Sequence, residues 1–104
     1  MATEILLALP EPPTAIFAFN DRMAMGAIRA LHAAGRRVPE DVAVVGFDDI
    51  PTAADFNPAL TTVIQPAITM GQVAAQILFD LMAGKTVITR EVVLPAMLII
   101  RQSS

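Results

Sequence analysis

Cysteine is absent from these 104 residues, histidine and lysine occur once each, and serine is confined to positions 103 and 104. Without cysteine there is no disulfide framework and no cysteine-based zinc site, and the chain suits a reducing compartment such as the cytoplasm. A lone His32 and two terminal serines leave little material for nucleophilic or imidazole-based catalysis. An enzyme would have to work with carboxylates alone, so the reading is of a protein that is not an enzyme, with no catalytic residues, no metal and no cofactor. Charge is scarce as well, at 16% of residues against about 25% in an ordinary soluble domain. Seven Lys plus Arg face ten Asp plus Glu, giving a net charge of −3 and a pI near 4.8. A chain without a basic footprint is not expected to grip phosphates, which argues against direct nucleic-acid binding by these residues. No apolar run approaches the roughly 18 residues of a membrane span, and the opening Met1 Ala2 Thr3 Glu4 lacks the positive region of a signal peptide. The expectation is a soluble, cytoplasmic chain.

What the sequence holds in excess is apolar surface: 55% of residues are hydrophobic and the mean hydropathy is +0.60. One domain at most fits this length, and so much apolar surface implies either unusual burial or membership of something larger. Thr3 to Leu9 reads as the end of a helix closed by Pro10, Pro12 and Pro13, an opening that looks cut into a fold. Thr14 to Phe19 is a short apolar run with the pattern of a strand buried on both faces. Asp21 is expected to cap a helix from Arg22 to about Ala34, ended at Gly35. With only Arg22, Arg29 and His32 strongly polar, that helix reads as apolar nearly all round and in need of cover on more than one side. Val42 to Phe47 is a second apolar strand, completing a right-handed parallel βαβ unit. A loop from Ile50 to Pro58 leads to a third strand over Leu60 to Gln65, and Pro66 opens a helix from Ala67 to Ala83, stopped at Gly84. Thr69, Gln72, Gln76 and Asp80 give this helix a narrow polar stripe. Val92 to Leu94 and Met97 to Arg101 read as extended pieces interrupted at Pro95. The fold class is α/β, a Rossmann-like parallel sheet flanked by helices.

In such a sheet, ligands bind beyond the carboxyl ends of the strands. Asn20 and Asp48 each follow an apolar strand directly and lie 28 positions apart, a spacing that one βαβ unit spans. A carboxylate accepts two hydrogen bonds and an amide both donates and accepts, so the pair suits a polyhydroxylated ligand such as a sugar or nucleoside. The plainer reading makes strand-end Asp and Asn turn formers and helix caps, and Asp21 reads as a cap alone. Asp48, Asp49 and Asp55 read as solvated loop acids and not as a Mg²⁺ site, since no phosphate-gripping glycines accompany them. His32 reads as surface or interface packing, Arg36 and Arg37 as a solvated turn, and Met23, Met25, Met70 and Met82 as core or interface filler.

Several stretches together resemble a known family. They are Pro13 Thr14 Ala15 Ile16, then Phe19 Asn20 Asp21 Arg22 Met23 Ala24 Met25 Gly26 Ala27, then Val38 Pro39 Glu40 Asp41 Val42 Ala43 Val44 Val45 Gly46 Phe47 Asp48 Asp49. Pro58 Ala59 Leu60 Thr61 Thr62 Val63 Ile64 Gln65 Pro66, Met70 Gly71, Leu94 Pro95 and Ile100 Arg101 follow in order. Over nearly its whole length the chain resembles the C-terminal third of a LacI/GalR-family transcriptional repressor. The resemblance implies a periplasmic-binding-protein-like (type I) fold of two α/β subdomains with an effector in the cleft, preceded by a helix-turn-helix domain that this chain lacks. Residues 1–104 then form a single partial effector-binding and dimerisation domain, with 14–64 in the C-terminal subdomain, 66–84 as a crossover helix and 91–101 as returning strands. Carried over by position, effector contacts fall on Asn20, Asp48 and Gln65, and the dimer interface on Met25, Ile28, Arg29, His32 and Phe56. Phe19 departs from the pattern, standing where the family often has a small residue, which narrows a pocket. The implied function is ligand sensing and homodimerisation in a cytoplasmic regulator whose effector is a sugar or related small polar molecule. Such a protein touches DNA only through the helix-turn-helix domain and no membrane at all. The alternative is a fragment of a sugar solute-binding protein of an ABC transporter, against which Leu60 Thr61 Thr62 Val63 favours the repressor.

Overall fold

The computed structural model describes residues 2–87 and 91–104; Met1, at the head of the opening read above, lies outside them. Its elements are α1 (Ala2–Leu7), β1 (Ala15–Phe17), α2 (Asp21–Ala33), β2 (Ala43–Val45), α3 (Thr52–Asp55), β3 (Thr62–Ile64), α4 (Ala67–Met82) and β4 (Met97–Ile99). The chain divides into two compact units, Met1–Ile64 with Met97–Ser104, and Gln65–Ala96.

In the first unit β1 and β2 pair in parallel, Ala15 opposite Ala43 and Phe17 opposite Val45. The parallel pattern continues onto the third strand, where the Gly46 N–H donates to the Thr61 carbonyl and the Asp48 N–H to the Val63 carbonyl, each at 2.9 Å. β4 then pairs antiparallel with β3, Thr62 opposite Ile99 and Ile64 opposite Met97. Val92 to Leu94, read as extended, forms no strand: Val93 is 84% exposed and its neighbours have no ladder to join among the described residues.

The side chains of α2 follow the 3.6-residue period. Ala24, Met25, Ala27, Ile28 and Leu31 fall on one face and are buried, while Arg22, Met23, Gly26 and Arg29 face outward. Within its own chain the helix is covered on one side only, and its outer stripe, with Met23 56% exposed, is left open. Its end is a Schellman turn. Gly35 has φ +72°, the Arg36 N–H reaches the Leu31 carbonyl at 2.9 Å, and the Gly35 N–H reaches the His32 carbonyl at 3.0 Å. Ile28, Leu31, Val44, Ala53 and Leu60 form the innermost core. Only one face of the β1–β2 ladder is closed. Val44 is buried and Ile16 half-buried, whereas Phe17 on the alternate face is 69% exposed. The sequence reading of a strand buried on both faces is corrected to one covered on a single side, as the period-2 alternation of side chains allows.

The last residues are part of this architecture. Ser103 is fully buried, its Oγ donating to the Val44 carbonyl at 2.6 Å and accepting from the Thr61 N–H at 2.8 Å. Its carbonyl accepts from the Val44 N–H at 2.7 Å. The terminal segment thus satisfies backbone groups of the second and third strands that would otherwise be buried without partners.

The second unit is dominated by α4, in which no side chain is buried. Ile68, Phe79 and Met82 are mostly exposed. Met70, Val73, Ala74 and Ile77 line a shallow apolar pocket of about 250 Å³ with Val92 and Leu94. The polar stripe ties its own end, Gln76 Nε2 donating to Asp80 Oδ1 at 3.0 Å and Lys85 Nζ to the same oxygen at 3.2 Å.

Candidate functional site

Parallel register brings the residues that follow β1 and β2 to one edge. The Ala18 N–H donates to the Val45 carbonyl at 2.8 Å and the Asp21 N–H to the Phe47 carbonyl at 2.9 Å, so Asn20 and Asp48 emerge side by side beyond the strand ends. Asn20 is half-buried and Asp48 exposed. Gln65 begins the second unit, where its carbonyl accepts from the Ala67 N–H at 2.8 Å. The first unit therefore gathers two of the three residues expected to meet a ligand.

The cap of α2 is Asn20 and not Asp21. Asn20 has extended backbone (φ −151°, ψ 172°), and its Oδ1 accepts from the Met23 N–H at 2.9 Å. This is a one-residue correction with a physical cause: the side chain outside the first turn can bend back to an unpaired N–H, whereas one inside it points away. The cap uses the amide oxygen, and the amide nitrogen takes no part in it.

Asp21 does something else. Its carboxylate is fully enclosed, one oxygen accepting from the Thr62 hydroxyl and the other from the Ile50 N–H at 2.8 Å. A Cβ at position 46 would run into Asp21 Oδ1 and lie 3.1 Å from both Asp21 Cα and Leu60 Cδ2, so only glycine lets β2 pass this carboxylate. The segment between these tethers is bent sharply. Asp48 has φ +115° and Asp49 φ +54°, positive values that are uncommon outside glycine.

Asp49 is not the solvated acid the sequence suggested. Its carboxylate pairs with Arg101 Nη1 at 2.8 Å, the two side chains being 17% and 19% exposed. The same Arg101 nitrogen donates to the Leu60 carbonyl at 2.9 Å, and the Arg101 N–H reaches Thr61 Oγ1 at 2.9 Å. Sequence reasoning missed this pair because its members are local to different strands; the signal was an acid just past β2 and an arginine just past β4. No cluster of metal-ligating side chains occurs among the described residues.

The expected interface residues divide. Ile28 is fully buried and Met25 nearly so, both in the core of their own chain, and a partner cannot reach them there. The helix phase that buries Ala24 and Leu31 takes them with it. Arg29 and His32 are exposed, and the Arg29 guanidinium lies 5.7 Å from the ring centroid of half-buried Phe56. His32 lines an open cleft of about 470 Å³ with Arg36 and Glu40 among others.

A parallel α/β sheet with polar side chains gathered past its strand ends has the layout of open α/β folds, in which ligands bind beyond the carboxyl ends of the strands. Comparison with known proteins gives the family. The model of the periplasmic binding protein-like domain matches residues 2–104, and the chain belongs to that family. The probable HTH-type transcriptional repressor ExuR of Bacillus subtilis (strain 168) is 49% identical over 82 residues, covering 79% of this chain and 25% of that protein. A transcriptional regulator CelR solved as a cellobiose complex is 45% identical with a TM-score of 0.83, over 88% of this chain and 28% of that one. The Lac repressor bound to ONPG in the repressed state is 35% identical with a TM-score of 0.90, over 99% of this chain and 31% of that one. These relatives bear out the resemblance to LacI-type repressors. The chain spans between a quarter and a third of the length of each of these three relatives.

Proposed function

We propose that this chain is the C-terminal ligand-sensing and dimerisation part of a LacI/GalR-type transcriptional regulator, with a sugar or similar polyhydroxylated molecule as effector. The observation that carries this reading is the register-matched pair Asn20 and Asp48 at the carboxyl edge of a sheet whose relatives are repressors, one of them bound to cellobiose. An acceptor-only carboxylate beside an amide donor suits adjacent sugar hydroxyls, and the family resemblance makes Gln65 a further expected contact. Residues 14–64, 66–84 and 91–101 then serve as C-terminal subdomain, crossover helix and returning strands. Effector binding shifts the balance between two arrangements of the regulator, and DNA is contacted by a helix-turn-helix domain outside these residues. The protein is cytoplasmic, is not an enzyme, needs no cofactor and works as a homodimer through Arg29, His32 and Phe56. The relatives being repressors supports this reading over the transport alternative.

The test is calorimetric titration of the complete gene product that carries this chain with cellobiose and with lactose. Saturable binding is expected, with Asp48→Asn weakening it about 10- to 100-fold, the range for a hydrogen bond to a charged group. Unchanged affinity in the Asp48→Asn protein would remove Asp48 from the site.

A further inference from the structure

We infer that Arg101, through its ion pair with Asp49, is a positioning residue that holds the neighbouring Asp48 in the orientation in which it meets a ligand. This rests on the ligand-sensing reading above. Two successive non-glycine residues at positive φ, Asp48 and Asp49, persist only where the surroundings over-determine the backbone. The Asp48 N–H is held by the Val63 carbonyl at 2.9 Å, and the Ile50 N–H by the Asp21 carboxylate at 2.8 Å. Between them the Asp49 N–H has only a long 3.4 Å contact to Thr62 Oγ1.

The centre of the bend is therefore fixed chiefly by its side chain, through the 2.8 Å contact of Asp49 with Arg101. Arg101 is itself immobilised, by its backbone N–H on Thr61 Oγ1 and its guanidinium on the Leu60 carbonyl. Both partners are mostly withdrawn from water, so their attraction is screened less than that of a surface pair. Releasing Asp49 removes one restraint that opposes relaxation of φ at positions 48 and 49, and the backbone that carries Asp48 loosens with it.

The experiment compares hydrogen exchange in wild type, Arg101→Met and Arg101→Lys of the complete gene product, by mass spectrometry on overlapping peptides that isolate residues 48–50 and residues 24–31. In Arg101→Met, exchange at 48–50 is expected to rise at least about tenfold while 24–31 changes less than about twofold, the mark of local opening. Arg101→Lys, which keeps the charge, restores most of the protection. No acceleration at 48–50, or equal acceleration in both segments, overturns the proposal, the second outcome leaving Arg101 a general stabiliser. If Arg101→Met does not fold, Asp49→Asn carries the same comparison.

Affinity supplies an independent arm with cellobiose and lactose as probes. Arg101→Met should weaken binding about tenfold in the wild-type background and add nothing in Asp48→Asn, because one acts through the other. Additive losses overturn the proposal. Wild-type protein that binds neither sugar defeats the sugar reading above, and the exchange comparison still decides the role of Arg101.

Discussion

Gly46 shows how one missing methyl organises this edge. The glycine lets β2 run against the buried Asp21 carboxylate, which in turn fixes Thr62 and the Ile50 N–H. Gly46→Ala places a Cβ inside the contact distance of Asp21 Oδ1, and the carboxylate can give way only by leaving Thr62 and the Ile50 N–H. The expected loss is about 1–3 kcal/mol of stability, the range for overpacking a closed site, read as a lower midpoint in urea unfolding with an unchanged slope. An unaltered midpoint would mean that β2 and α2 separate freely, contrary to their close packing. Little of this was legible in the sequence. A glycine in a strand signals a close approach in general terms, but what approaches it is a side chain from a different element. Asp49 and Arg101 hid for the same reason: local pattern describes what a residue's neighbours do, and these two are neighbours only in the folded chain.

Helix and strand order, by contrast, was readable, because periodicity and capping act over a few residues. The βαβ core, the helix end at Gly35 and the start of α4 after Pro66 all lie where the pattern put them. The errors sit at boundaries and faces. Asn20 took the capping role assigned to Asp21, and β1, read as buried on both faces, is covered on one. Substitution tests the cap. Asn20→Ala removes the cap and should cost about 1 kcal/mol in thermal or urea unfolding, whereas Asn20→Ser keeps an acceptor for the Met23 N–H and should leave stability within a few tenths. Equal stability in the two proteins would contradict the cap. The connection after α2 carries its own clamp. The Arg37 guanidinium and N–H both donate to Asp41, at 2.8 Å and 2.7 Å at their shortest, and these hydrogen bonds hold the Asp41 carboxyl down to about 2. A carboxyl depressed in the folded state favours folding above its ordinary value of about 3.9 and loses that contribution as pH falls through the folded value. A carboxyl-detected NMR titration should place the Asp41 midpoint near 2, and Arg37→Gln should return it toward the ordinary range.

Composition posed a question that only the assembled chain answers: where 55% apolar residues can go when the charge is so sparse. The first unit closes a core around Ile28, Leu31, Val44 and Leu60, yet leaves Phe17 and Phe19 at 69% and 82% exposure. Among its described residues the second unit closes none, since α4 buries no side chain and presents Ile68, Leu78, Phe79 and Met82 to solvent. Apolar surface distributed in this way over one face of a sheet and around a helix drives association, because contiguous patches beyond a few hundred Å² are rarely left uncovered. At tens of micromolar this 104-residue chain should sediment as a dimer or larger species. Two variants identify the surface responsible. Phe79→Glu places a charge on α4 and should shift the equilibrium toward monomer if that helix supplies the contact. Arg29→Glu reverses the charge over Phe56 and should do so if the outer stripe of α2 supplies it. A wild-type chain that remains a monodisperse monomer throughout this range would count against the homodimer assignment and against the view that these apolar faces are built to be covered.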